Sequence, residues 1–155
     1  MSNRKIIIKN ALLITVLIGG FFFVSKLLGF ADNGFLRFLN LLFVLIGIHQ
    51  AIKTSIFTNK ETKYTTNLGI GIQTSALAVA LSIIGVIFYV EVINPDFFTT
   101  LQNSFLIGGE LSIAEIVLTL VIEGFASSVI GSFIIMQFYK NHDKEDLSSD
   151  KEKIV

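Results

Sequence analysis

The chain has 155 residues, the length of one domain, with 52% hydrophobic and 15% charged residues and no net charge. A mean hydropathy of +0.73 excludes an ordinary soluble globule, because a domain this small exposes much of its surface and needs polar residues to cover it. The lack of Cys excludes disulfides, thiolate catalysis and cysteine-based metal centres; two His are too few for a zinc site, and no basic patch suited to nucleic acid is present.

Taken in chain order, four stretches reach the ~20 apolar residues needed to cross a hydrocarbon layer. The first spans 11–31, ALLITVLIGGFFFVSKLLGFA, with Lys26 as its only charge. Arg4 and Lys5 ahead of it suggest a signal peptide, but the apolar run is longer than the ~7–15 residues of a signal core. The second spans 35–57, with its apolar heart at FLNLLFVLIGI and with Asn40, His49 and Gln50 as its polar members. The third spans 68–90 without a charge, and the fourth spans 113–138 and contains Glu115 and Glu123. None shows the polar stripe of a helix in a soluble bundle. The expectation is an all-α, integral membrane bundle of four transmembrane helices over 1–140, followed by a charged tail over 141–155.

Between the third and fourth spans, Asn94-Pro95-Asp96 reads as a helix start, with Asn94 as cap and Pro95 at the first helical position. Phe98, Leu101 and Phe105 follow at helical spacing, and Gly108-Gly109 supplies a stop. A short helix over 95–107, lying in the outer interface, is expected.

Orientation follows the positive-inside rule. Arg4, Lys5, Lys9, Lys53, Lys60, Lys63, Lys140, Lys144, Lys151 and Lys153 lie on one side, against Lys26 and Arg37 on the other. Both termini are therefore expected in the cytoplasm.

Small residues mark helix contacts in a membrane, where close approach replaces the hydrophobic drive. In the third span Gly71, Ser75, Ala78, Ser82 and Gly85 fall at spacings of 4, 3, 4 and 3; in the fourth, Gly124, Ser128 and Gly131 repeat the 4, 3 step. The seam predicts that the third and fourth spans pair at the heart of the bundle, or that it serves a dimer, with the first two spans mainly facing lipid.

Glu123 lies ten residues past Ile113, roughly 15 Å into the layer at 1.5 Å per residue. An acid at that depth is expensive and is a functional candidate by default. Sharing a face with Ser127 and Gly131, it is expected to point into the bundle. There it either handles a proton or cation, or glues helices through Asn40, His49, Gln73 or a serine. His49 is placed within a turn and a half of its depth.

The stretch from Phe38 to Val90, then Asn94-Pro95-Asp96-Phe97, then IEGFASSVIGSFIIMQFYK resembles domain-of-unknown-function family 4199, small four-span proteins of the bacterial inner membrane. The likeness covers about residues 6–140. It implies a fold and a bacterial cytoplasmic membrane but no activity, and it attaches no role to Glu123. No GxSxG, HExxH or Walker-type loop is present, and no metal site or cofactor is expected. The functional expectation is a non-enzymatic accessory membrane component, with the lipid bilayer and a membrane protein or a second copy as partners. The alternative is a small oligomeric transporter or channel coupled to protons or cations through Glu123.

Overall fold

Backbone polar groups in a hydrocarbon layer must be satisfied within the chain, and helices do this segment by segment. The computed structural model describes residues 1–30, 36–103 and 111–141, with the side chains of 36–38 excepted, and among them the chain is all-helical. Helix α1 runs Asn3–Leu27, α2 Leu36–Asn59 and α3 Tyr64–Phe88; α3 continues into a π-helical turn, Tyr89–Ile93. A short α4, Phe97–Asn103, precedes α5, Ile113–Phe138. Four of these helices are long and apolar enough to cross a membrane.

The helices differ in extent from the predicted spans. Helix α1 begins eight residues before the predicted 11 and α3 four before the predicted 68, because a helix continues past its apolar stretch once its hydrogen-bond ladder is running. Residues 31–35, at the predicted first-to-second junction, lie outside the described set, as do 104–107 of the predicted outer helix, its glycine stop and the tail beyond 141. Helix α4 begins two residues later than predicted, because Asn94, Pro95 and Asp96 form a tight turn instead. In that turn the N–H groups of Phe97, Phe98 and Thr99 bond back to the carbonyls of Asn94, Pro95 and Asp96.

Helices α2 and α3 form the central pair, each packed against both α1 and α5, so that α1 and α5 lie on opposite sides of that pair. The third-to-fourth span contact is present, but the first two spans are no lipid-facing annex. Only 11% of the apolar window of α5 is buried, against 33% for α2. The main core lies toward the end of the bundle where α1 starts and α5 closes. Ala11 and Ile14 of α1, Ile48 and Ile52 of α2, Ala78 of α3 and Met136 of α5 meet there, all fully enclosed.

Polar closure secures this end. Ser55 Oγ donates to Asn67 Oδ1 at 2.6 Å, and Asn67 Nδ2 donates to the Glu61 carbonyl at 2.9 Å. These bonds tie the last turns of α2 to the first turn of α3 across the connection. Lys60, with φ of +52°, takes the left-handed conformation that ends a helix, a position usually given to Gly. Asn59 Nδ2 donates to Asn3 Oδ1 at 3.2 Å and joins the foot of α1 to the same corner.

At the opposite end the aromatics take over. Phe22 meets Tyr89 and Phe97 edge to face at 5.1 and 5.2 Å, and Tyr89 meets Phe97 at 5.3 Å. The π-helical turn starts at Tyr89, which is buried. Its hydroxyl accepts from Lys26 Nζ. That ammonium lies 4.9 Å from the ring centroid, the position of a donor beyond the hydroxyl in the ring plane, so the contact is a hydrogen bond rather than a cation over the ring face. Lys26 thus reaches a phenol inside the chain.

Candidate functional site

Helix α5 begins at a capping box. The Ser112 N–H donates to Glu115 Oε2 at 2.8 Å, and the Glu115 N–H donates to Ser112 Oγ at 3.4 Å. Two of the four unsatisfied donors of the first turn are met this way. Glu115 therefore serves the helix start.

From that start, 100° per residue decides which side chains face inwards. Ile116, Ser128, Gly131, Ser132, Ile135 and Met136 are buried. Glu123 precedes Ser128 by five residues and so sits roughly 140° round the helix, and its side chain is exposed. The expectation that it points into the bundle is corrected. Ser127, which set that expectation, is itself ~100° from Ser128; packing selected the Gly124–Ser128–Ile135 face. Glu123 makes an interaction within the chain and still looks outwards. It falls on a stripe with Thr119, Ala126, Ile130, Phe133 and Gln137, at spacings of 4, 3, 4, 3 and 4.

The four candidate polar residues do not converge. Gln73 is exposed on α3, and Asn40 is half-buried on α2 with no hydrogen-bond partner for its buried Oδ1 among the described residues. His49, nine residues further on, is exposed, and its Nε2 lies 3.1 Å from the Tyr139 hydroxyl. Tyr139 is sixteen residues past Glu123, about 24 Å along the axis. His49 and Glu123 are therefore far apart in depth, because α2 runs on to Asn59 well beyond the level at which α5 stops.

The packing residues divide more favourably. Gly71, Ser75, Ala78, Ser128 and Gly131 are buried. A Cβ on Gly71 would stand 2.9 Å from Ser132 Oγ of α5 and 3.0 Å from Ile52 Cδ1 of α2. One on Gly124 would strike Val79 of α3, and one on Gly131 would stand 3.1 Å from Leu45 Cδ2 of α2. The seam thus serves two neighbours rather than one. It opens at its far end, where Ser82 is half-buried and Gly85 is exposed with nothing within 4 Å of an added Cβ.

Between α2 and the end of α5 lies an open groove of about 640 Å³, whose α2 wall includes Leu45, His49, Lys53 and Phe57. Tyr139 meets His49 and Phe57 edge to face at 5.7 and 6.2 Å. Burial pushes its phenol above the usual tyrosine range. The four-residue spacing of the α2 wall was visible in the sequence, but nothing there said which helix would stand opposite. A second crevice, between the end of α3, α4 and α5, holds only about 10 Å³, no more than room for a water.

Comparison with family models, with curated proteins and with solved structures returned no match. The resemblance to domain-of-unknown-function family 4199 accordingly rests on this chain's residues alone.

Proposed function

We propose that the chain is a non-enzymatic accessory component of a membrane assembly, in which the outer face of α5 receives a helix of another membrane protein. The observation that carries this reading is Glu123, exposed on the outer stripe of α5 at about the middle of a span. Ionisable groups at that depth almost always face protein or water rather than lipid tails. A neighbouring helix packed on this stripe would cover the exposed carboxyl, and Ala126 one turn on would allow close approach. The low burial of α5 within the chain leaves that face available. The distribution of cations supports a cytoplasmic membrane with both termini inside. Among the described residues the terminus-bearing end carries Arg4, Lys5, Lys9, Lys53, Lys60, Lys63 and Lys140 against the single acid Glu61.

A photo-crosslinking side chain at Ala126 or Ile130, expressed in native membranes, is expected to capture one defined partner. The same group at Val16, exposed on α1, is expected to capture none. Equal capture from both faces, or none from α5, overturns the reading. The mid-span carboxyl also favours a second reading, an oligomeric proton- or cation-coupled transporter. If the captured partner is a second copy, proteoliposomes should carry a flux that Glu123→Gln abolishes; flux equal in the variant removes Glu123 from any transport path.

A further inference from the structure

The groove between α2 and α5 changes character along its length. Its inner part is apolar, walled by Leu45 and Ile46 of α2 and Ile135 of α5, whereas its mouth carries Gln50, Lys53 and Thr58 beside the exposed ring of Phe57. Lys53 stands seven to eight residues beyond the apolar wall, about 11 Å along the helix. That gradient follows a phospholipid, with acyl chain below and phosphate above. No acid lines the groove among the described residues. Thr54 at the mouth turns its hydroxyl to the Gln50 carbonyl at 2.7 Å, and Lys53 is exposed. The surrounding end of the bundle is basic, with Lys60, Lys63 and Lys140 also exposed.

We infer that this groove is a binding site for an anionic phospholipid, its phosphodiester held at Lys53 and Gln50 and its first methylenes lying on Leu45, Ile46 and Ile135. A cation at the mouth of an interhelical pocket attracts anionic headgroups, and the lysine stem covers apolar surface while its ammonium stays at the interface. The about 640 Å³ of the groove falls within the range of small-molecule sites and accommodates a headgroup with the start of one chain. The inference is independent of the α5 outer stripe, since it uses the α2 side of that helix.

Native mass spectrometry of the full chain, titrated in detergent with dioleoylphosphatidylglycerol or dioleoylphosphatidylcholine, tests it. The anionic lipid is expected to bind at lower concentration than the zwitterionic one. Lys53→Ala is expected to weaken the anionic lipid about fivefold, the order of one interfacial cation. Lys60→Ala, which removes the same charge from the same end but outside the groove, is expected to leave it near the native value. Ile46→Trp, which fills the apolar floor, is expected to weaken it as well. Equal binding of the two lipids, equal loss in the two lysine variants, or undiminished binding in Ile46→Trp would each overturn the assignment.

Discussion

Gly71 and Gly85 stand two heptads apart on α3 and belong to one small-residue stripe, yet they meet opposite surroundings. At Gly71 the neighbours Ser132, Ile52 and Ile48 stand where a side chain would go, and at Gly85 there is open space. Enlarging a tightly packed position forces strain of about 1–3 kcal/mol. Gly71→Leu is therefore expected to lower the thermal midpoint in detergent, and Gly85→Leu to leave it nearly unchanged. Equal losses would mean that the stripe is packed along its whole length. The stripe itself was legible in the sequence, because small residues at spacings of 4 and 3 are a local pattern. Where it ends was not, because that depends on how far α3 diverges from its neighbours. Glu123 teaches the same lesson: its depth is a count of residues, whereas its outward aim depends on which face of α5 the other helices took.

Among the elements, α5 has the most clearly specified start. Ser112 and Glu115 exchange hydrogen bonds with each other's backbone N–H, and the Ser-x-x-Glu spacing ahead of an apolar run is a sequence signature in its own right. The cap was therefore readable in the sequence. Removing an N-cap side chain costs about 1 kcal/mol. Ser112→Ala is expected to speed amide hydrogen exchange in the first turn of α5 and leave the turns around Ser128 protected. Unchanged exchange at the first turn would show that the cap contributes nothing there. The π-helical turn at Tyr89–Ile93 had no comparable signature. It follows from tertiary demands at that end, where Tyr89 meets Phe97 and, from the distant α1, Lys26 and Phe22.

For the whole molecule, Tyr139 joins the end of α5 to α2 through His49 and Phe57. Burial raises its phenol above 10.0, so the folded state keeps its proton after the unfolded chain has lost it. Between pH 10 and the folded value the unfolded state therefore binds fewer protons, and stability falls as pH rises through that window; below pH 10 this group contributes no pH dependence. Thermal midpoints measured on either side of pH 10 are expected to drop on the alkaline side, and Tyr139→Phe is expected to flatten that drop. An identical slope in the variant would place the alkaline loss elsewhere.

The number of long helices, their approximate ends and their length relative to a membrane were determined by the sequence alone, because apolar length is a local property and a helix satisfies its own backbone. The facing of each helix, the central place of α2 and α3, the outward aim of Glu123 and the groove beside Lys53 were decided only by the tertiary structure. Each span is apolar nearly all round, so no polar face announces which side turns inwards. What selects it is fit between small residues and the side chains of other helices, and that fit exists only once the helices stand side by side.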